Sequence, residues 1–205
     1  MEKSEKQGFT LWFTGLPCSG KTTISEMVER QLRDRGLNVE VLDGDEVRRN
    51  LSKDLGFSKD DRDTHIKRIG FVAKLLSRNG VATLAAFVSP YREVRDYLRS
   101  EIETFVEVYV DCPLEVCIKR DVKGMYKKAI AGEIRNFTGI SDPYEEPLNP
   151  EVVVKTDKET PTESALKVLR KLEGMGYIPT ISESVTYTDE EEEKIKKRLK
   201  ALGYL

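Results

Sequence analysis

The residues best suited to chemistry stand near the start of the chain, where Gly15 to Thr22 read Gly-Leu-Pro-Cys-Ser-Gly-Lys-Thr. They form a complete G-x-x-x-x-G-K-S/T phosphate loop, whose backbone N–H groups surround the phosphates of a nucleotide. Lys21 is expected to reach the β- and γ-phosphates, and Thr22 to hold Mg²⁺, which prefers hard oxygen ligands. The loop predicts a chain that binds ATP or GTP. The expected nucleotide contacts here are Gly15, Leu16, Pro17, Cys18, Ser19, Gly20, Lys21, Thr22 and Thr23.

A pair of carboxylates forms the second candidate site, in the segment Leu42-Asp43-Gly44-Asp45. One carboxylate can organise Mg²⁺ or its waters, while the other can accept a proton from an attacking hydroxyl. We expect Asp45 to be the base and, with Thr22, a metal ligand. The alternative is that Asp43 or Asp45 only caps the helix that follows.

These motifs need strands before them and helices after them, and the sequence supplies both. The predicted strands are Phe9 to Thr14, Asn38 to Leu42, Val81 to Val88, Phe105 to Val110 and Glu151 to Val154. The predicted helices include Lys21 to Arg35, Asp60 to Asn79 and a helix from a capping box at Thr160 to about Leu172. This alternation predicts an α/β fold of the P-loop NTPase type, a doubly wound parallel sheet of about five strands flanked by helices.

The domain organisation follows from where these elements end. Residues 1–178 are expected to form a single domain and residues 179–205 a C-terminal helical extension. Within the extension, a capping box at Thr188 precedes a predicted helix that carries Ile195, Leu199 and Leu202 on one face. This apolar stripe could pack on the same domain or on a partner subunit.

Composition excludes several classes of protein. The 205 residues carry a net charge of −2, from 34 basic and 36 acidic residues, so we expect no nucleic-acid partner. No apolar run approaches the roughly 20 residues that span a bilayer, and the N-terminus is too charged for a secretory signal. We therefore expect a cytoplasmic protein without membrane contact. Its three cysteines fit no metal-ligand spacing and are expected to be reduced.

Two other nucleotide-enzyme classes fit the sequence poorly. Asp121 and Gly124 match the short D-x-x-G pattern of GTPase switches, but the guanine-reading Asn-Lys-x-Asp pattern is missing. A motor ATPase would show an apolar strand ending in an acidic pair, whereas the fourth predicted strand runs into Asp111-Cys112-Pro113. Both patterns disfavour a switch or a motor.

The sequence resembles the adenylylsulfate kinases over about Gly8 to Gly174. The pattern that is specific to this family begins at about Asp43. The carriers of the resemblance are Leu42 to Asp45 with Arg48, Leu55 to Ser58 with Asp61 and Arg62, Phe87 to Tyr91 with Arg95, Arg120 to Lys128, Ala131 to Ile140, and Asp142 to Glu145. The resemblance implies transfer of the γ-phosphate of ATP to the 3′-hydroxyl of adenosine 5′-phosphosulfate, with Mg²⁺. It also implies a homodimer and a functional partnership with ATP sulfurylase.

The resemblance also implies roles for single residues. Phe57 and Phe137 would stack on the two faces of the substrate adenine, while Arg48 and Arg62 would hold the phosphosulfate. The basic segment Arg120 to Lys128 resembles a mobile lid, with hinge glycines at 124, 132 and 139. The further contacts implied are Arg120 and Thr156 for ATP, and Lys123 and Lys155 for the acceptor.

Ser89 matches a family position that has been associated with a phosphoserine form, and Pro90 follows it in the same motif. Direct in-line transfer needs no enzyme nucleophile, because positioning and charge neutralisation supply most of phosphoryl-transfer catalysis. We therefore expect the Ser89 hydroxyl to contact substrate or to orient a carboxylate. The residues expected to take part in catalysis are Lys21, Asp43, Asp45 and Ser89.

His65, the one histidine of the chain, stands where the family usually has Asn. A neutral imidazole can still donate one hydrogen bond to the substrate, and we expect it to gain charge near pH 6.5. The alternative is a partly exposed helix histidine without a role. For the whole chain, three alternatives stay open: another small-molecule kinase, a non-catalytic nucleotide-binding module and an NTP-driven switch.

Overall fold

The computed structural model describes residues 8–180 of the chain. Five parallel strands form one sheet, in the order β2-β3-β1-β4-β5. The strands are β1 Phe9–Thr14, β2 Val39–Leu42, β3 Ala82–Ala86, β4 Phe105–Asp111 and β5 Val152–Lys155. All six residues of β1 are buried, as expected for a central strand of a parallel sheet that is covered on both faces. The predicted fold class is thus confirmed.

Seven helices surround the sheet within the described part of the chain. They are α1 Lys21–Asp34, α2 Gly44–Leu51, α3 Lys59–Ser77, α4 Arg92–Glu101, α5 Leu114–Arg120, α6 Met125–Ile130 and α7 Pro161–Gly174. The capping box predicted at Thr160 is present, since its hydroxyl accepts the Glu163 N–H while the Glu163 carboxylate accepts the Thr160 N–H. Ser58 caps α3 by accepting the N–H of Asp61. These side chains fix where the two helices begin.

The two faces of the sheet bury separate apolar clusters. On one face, Phe9, Leu11 and Phe13 of β1 pack with residues of α1 and α7. On the other face, Trp12 packs with residues of α3 and α4, and its ring stacks on Phe87 at 5.5 Å. Successive side chains of a strand point to opposite faces, so β1 serves both clusters. Since helices cover both faces, ligands are confined to the edge where the strands end.

The buried side chain of Arg95 holds the segment around Glu145 in place. Arg95 of α4 donates to the Glu107 carboxylate at 2.8 Å and to the carbonyl oxygens of Ser89 and Glu145, each at 2.5 Å. Glu145 in turn accepts the N–H of Arg92, the first residue of α4, at 2.7 Å. These bonds hold the segment around Glu145 against the end of β3.

Several expected boundaries differ from the observed ones. β3 ends at Ala86, two residues before the expected end, because the chain turns there towards Ser89, which has a left-handed φ of 38°. The core continues to Ile178, and Arg35 donates to the carbonyl of Pro179. The predicted extension, with its capping box at Thr188, lies outside the described residues. Within residues 8–180, no helix is both long and apolar enough to cross a membrane.

Candidate active site

The phosphate loop connects β1 to α1, and its backbone requires the glycines of the motif. Gly15 and Gly20 have φ values of 152° and 103°, in the region that favours glycine. A Cβ atom on Gly15 would lie 2.5 Å from the carbonyl oxygen of Val110, so a side chain cannot fit there. Cys18 also adopts a left-handed φ, of 60°. The loop is therefore wound tightly over the N-terminus of α1, where the helix dipole favours anions.

Lys21 lies inside this loop. Its Nζ donates to the carbonyl oxygens of Gly15 and Leu16, at 2.9 and 2.7 Å, and only 8% of the residue is exposed. Burial lowers the pKa of Lys21 to about 8, so its ammonium group is mostly charged at neutral pH. Thr22 and Thr23 follow in the first turn of α1 and are exposed.

Arg120 and Thr156 join the phosphate loop to the ends of α5 and β5. The Thr156 hydroxyl donates to the carbonyl of Ser19 at 2.7 Å. Arg120 donates to that hydroxyl at 3.1 Å and to the Thr156 carbonyl at 2.6 Å. The structure thus brings together three segments that the sequence analysis assigned to nucleotide contacts.

The carboxylate pair stands where β2 leads into α2. The Asp43 side chain accepts the backbone N–H of Glu46 at 2.9 Å and so caps the start of α2. Asp45 is the second residue of α2, three positions after the last residue of β2. Its position along the chain keeps it at the edge of the sheet where the phosphate loop also lies.

The two aromatic residues expected to hold adenine differ in exposure. Phe57 is 60% exposed, and the guanidinium carbon of Arg48 lies 4.2 Å from the centroid of its ring. Phe137 is 9% exposed and packs edge-on against Tyr126, with the ring centroids 5.0 Å apart. Phe57 is thus a largely exposed ring with guanidinium groups over it, while Phe137 is braced by another ring.

Arg62 connects the segments that carry these two rings. Its Nε donates to the carbonyl of Phe57 at 3.0 Å, one Nη donates to the Thr138 hydroxyl at 3.2 Å, and the other donates to the carbonyl of Asn136. Thr138 and Asn136 flank Phe137 in the chain. Arg62 therefore holds both aromatic segments together, a role that the sequence analysis did not foresee for it.

Ser89 is a buried link between strands, with 2% of the residue exposed. Its hydroxyl accepts the indole N–H of Trp12 at 3.0 Å and donates to the Thr14 hydroxyl at 3.1 Å. The expectation that this hydroxyl orients a carboxylate is wrong, because the left-handed turn at Ser89 directs it back to β1. Pro90, the next residue, is also buried.

His65 is buried rather than partly exposed, with 8% of the residue accessible. Burial, and then the charges of Arg48 and Arg68, lower the pKa of His65 to about 4. The expectation that this imidazole gains charge near pH 6.5 is therefore wrong. At neutral pH the imidazole is therefore uncharged.

The basic segment that resembles a lid is anchored at the N-terminal end of α6. The Asp121 carboxylate accepts the backbone N–H groups of Tyr126 and Lys127, each at 3.0 Å, which explains the aspartate of the D-x-x-G match as a helix cap. Tyr126 is fully buried and its hydroxyl donates to the carbonyl of Pro17 at 3.0 Å. Lys123 lies in the turn before α6 and is exposed. Tyr126 was missed by sequence reasoning, although an aromatic residue inside a basic segment was the available signal.

Lys155, expected to contact the acceptor, is the last residue of β5 and is exposed. The sheet therefore presents it at the same edge as the phosphate loop, the end of β2 and the turn at Ser89. The expected site residues share this edge, and the direct contacts described above link many of them.

Comparisons with known proteins identify relatives of this chain. Residues 7–155 match the adenylylsulphate kinase family. The chain is 60% identical over 174 residues to the adenylyl-sulfate kinase of Rippkaea orientalis, which covers 85% of this chain and 96% of the relative. It is 59% identical over 172 residues to a probable bifunctional SAT/APS kinase of Sorangium cellulosum, covering 84% of this chain and 30% of that protein. The solved structure of the Mycobacterium tuberculosis APS kinase CysC, in complex with AMPPNP and APS, matches with a TM-score of 0.78 and 43% identity, over 82% of this chain and 98% of that one.

Proposed function

The chain belongs to the adenylylsulfate kinase family, and from this premise we propose that its site transfers the γ-phosphate of ATP to the 3′-hydroxyl of adenosine 5′-phosphosulfate. The product is 3′-phosphoadenylylsulfate, the activated form of sulfate. The observation that carries the proposal is a continuous series of contacts from the phosphate loop to the acceptor wall, by which we mean Phe57, Arg62 and Phe137. The Tyr126 hydroxyl donates to the carbonyl of Pro17, and the Tyr126 ring packs on Phe137. Arg62 then joins the Phe137 segment to Phe57.

On the nucleotide side, Lys21 supplies a charged ammonium group within the phosphate loop. Phosphate oxygens would take over the hydrogen bonds that Nζ now makes to Gly15 and Leu16. A nearby anion also favours the charged form, so ATP should raise the pKa of Lys21. Arg120 and Thr156 form the adjoining wall, beside which the base of ATP would lie.

The donor atoms available fit Mg²⁺, which takes oxygen ligands and is held partly by substrate phosphates. The exposed hydroxyl of Thr22 and the carboxylate of Asp45 would hold it. The ion would supply positive charge against the charge that develops on the transferring phosphoryl group.

On the acceptor side, adenine would lie between Phe57 and Phe137, because flat rings stack on flat bases. Arg48 and Arg62 would bind the phosphosulfate, with Lys123 and Lys155 as further cationic contacts. Arg62 would bind it with the guanidinium N–H donors that are not already given to Phe57, Asn136 and Thr138.

The chemical step needs a base and an attacking oxygen placed in line with the leaving group. Asp45 would accept the proton of the 3′-hydroxyl as that oxygen attacks the γ-phosphorus, and ADP leaves. Ser89 is buried and hydrogen-bonded to Trp12 and Thr14, which supports direct transfer without an enzyme phosphoserine. Closure of the segment Arg120 to Lys128 would exclude water from the transferring group.

The same proposal includes the partners of the enzyme and its location in the cell. A homodimer in the cytoplasm, working with ATP sulfurylase, would receive adenosine 5′-phosphosulfate from that enzyme. The support for a functional partnership is a relative whose name joins an APS kinase to a second activity.

The test is ADP release by the purified chain with Mg²⁺-ATP and one acceptor at a time. Adenosine 5′-phosphosulfate is expected to release ADP, whereas adenylate and gluconate are not. Asp45→Asn is expected to bind ATP and lose turnover. ADP release with gluconate would favour another small-molecule kinase, and ATP binding without release for any acceptor would favour a nucleotide-binding module.

A further inference from the structure

The carboxylate of Asp142 lies where three segments of the chain meet. Its Oδ2 atom accepts a hydrogen bond from the Tyr91 hydroxyl at 2.8 Å, and the same atom lies 3.9 Å from the Nε atom of Arg62. Tyr91 is the residue that precedes α4, and Arg62 belongs to α3. One carboxylate oxygen therefore connects both helices to the loop that contains Phe137.

The backbone of Asp142 closes the turn that begins at Phe137. Its N–H donates to the Phe137 carbonyl at 3.2 Å, and its carbonyl accepts the N–H of Gly139 at 2.8 Å. Within the same turn, the Ser141 hydroxyl accepts the N–H of Phe137 at 3.0 Å. Because the turn is bonded to itself in this way, the position of Asp142 determines the position of the Phe137 ring.

Tyr91 is a fixed point from which this turn can be held. It is 5% exposed and belongs to the same apolar cluster as Trp12 and Phe87. Burial, and then the bond to Asp142, raise the pKa of Tyr91 to about 12, so its hydroxyl remains a donor at neutral pH. A phenylalanine would fill the same space in the cluster, so the hydroxyl is explained by the carboxylate that it bonds.

The interaction of Asp142 with Arg62 orients the guanidinium group without using its hydrogen-bond donors. A separation of 3.9 Å is too long for a hydrogen bond, whereas Arg62 donates to Phe57, Asn136 and Thr138. Opposite charges still attract at this distance, because both side chains are mostly shielded from water. The remaining N–H groups of Arg62 stay available to the phosphosulfate of the proposed acceptor.

We propose, on the basis of the proposed function, that Tyr91 and Asp142 are positioning residues for the acceptor. The Tyr91 hydroxyl holds the Asp142 carboxylate, and Asp142 sets the positions of the Phe137 ring and the Arg62 guanidinium. The adenine slot and the phosphosulfate contact are then in place before the acceptor arrives. Acceptor binding therefore avoids the entropy loss of ordering the Phe137 turn.

Tyr91→Phe tests the pair, because it removes the hydroxyl and keeps the ring. The KM for adenosine 5′-phosphosulfate is expected to rise about tenfold, as for one hydrogen bond to a charged group. The Kd of this acceptor, measured by calorimetry with ADP and Mg²⁺ present, should rise by the same factor. Both kcat and the KM for ATP are expected to stay within about twofold of their original values, since the lost interaction only binds the acceptor.

Tyr97→Phe, on an exposed tyrosine of the same helix, is the matched control and should change none of these constants. A loss of folded protein lowers the apparent kcat and leaves both KM values unchanged, so the KM values report on the site itself. An unchanged acceptor KM in Tyr91→Phe, or an equal rise in both KM values, would overturn the proposal.

Variants of Asp142 show whether the hydroxyl acts through the carboxylate. Asp142→Ala removes the partner of both Tyr91 and Arg62, and the acceptor KM is expected to rise about 30-fold. Asp142→Asn keeps an oxygen that accepts the Tyr91 hydroxyl, so its acceptor KM should lie between that of Asp142→Ala and that of the unaltered chain. The double variant Tyr91→Phe with Asp142→Ala is expected to lose no more than Asp142→Ala alone. Losses that multiply in the double variant would contradict the pair.

Failure of the positioning pair and failure of the proposed function have different signatures. If the unaltered chain phosphorylates adenosine 5′-phosphosulfate and Tyr91→Phe leaves the acceptor KM unchanged, only the positioning role is refuted. If the unaltered chain neither binds nor phosphorylates this acceptor, the proposed function itself is refuted.

Discussion

The hydroxyl of Tyr126 donates a hydrogen bond to the carbonyl of Pro17 at 3.0 Å, across 109 residues of chain. This bond ties α6 to the phosphate loop, while the ring of Tyr126 packs on Phe137 at 5.0 Å. One tyrosine therefore touches both the nucleotide loop and the acceptor wall. The two halves of the site are coupled through it.

Tyr126→Phe tests this coupling. The ring stays and the hydrogen bond is lost, so the KM for ATP is expected to rise about fivefold, as for one net hydrogen bond. The KM for the acceptor should change less, because the packing on Phe137 remains. Tyr97→Phe, on an exposed ring of α4, is the matched control and should leave both constants unchanged. An ATP KM that does not respond to Tyr126→Phe would contradict the coupling.

Arg62→Lys tests the link between the aromatic segments. Lysine keeps the charge but cannot bond Phe57, Asn136 and Thr138 in a fixed fork. We expect kcat/KM for adenosine 5′-phosphosulfate to fall roughly 10- to 100-fold, with the KM for ATP within about twofold of its original value. Arg78→Lys, on an exposed arginine away from the site, is the control. A loss shared equally by both substrates would show that Arg62 only maintains the fold.

The lowered pKa of Lys21 predicts how ATP binding depends on pH. Its pKa of about 8 in the folded chain means that the ammonium charge is present below pH 8 and is lost as the pH rises above it. ATP affinity, measured by calorimetry, is therefore expected to fall by up to about tenfold per pH unit above pH 8. Lys21→Met should bind ATP weakly and without this step. A step that persists in Lys21→Met would assign the titration to another group.

Breaking the buried ion pair of Arg95 and Glu107 is expected to lower the free energy of unfolding. Both side chains are almost fully buried and lie 2.8 Å apart, so removing one charge leaves the other unpaired. Glu107→Gln is expected to lower the free energy of unfolding by about 3 kcal/mol. Glu103→Gln, at an exposed position in the loop before β4, should change it little. Urea unfolding of the two variants measures the difference, and equal midpoints would contradict this account.

Local patterns predicted the elements whose signals are local. The phosphate loop, the burial of Phe9 to Thr14 and the capping box at Thr160 all follow from neighbouring residues, because motif spacing, strand composition and cap chemistry act over a few positions. The burial of His65 and the carbonyl partners of Arg62 do not, since they depend on how α3 packs against distant segments. The same holds for Ser89, whose partners come from β1.

The position of the new phosphate in the product tests the proposed kinase activity most directly. We would incubate the chain with Mg²⁺-ATP and adenosine 5′-phosphosulfate and examine the new phosphoester by ³¹P NMR with coupling to the ribose protons. We expect one new phosphoester, coupled to H3′ of the acceptor and formed in equal amount to ADP. A phosphoester at another position, or ADP formed without a phosphorylated acceptor, would contradict it.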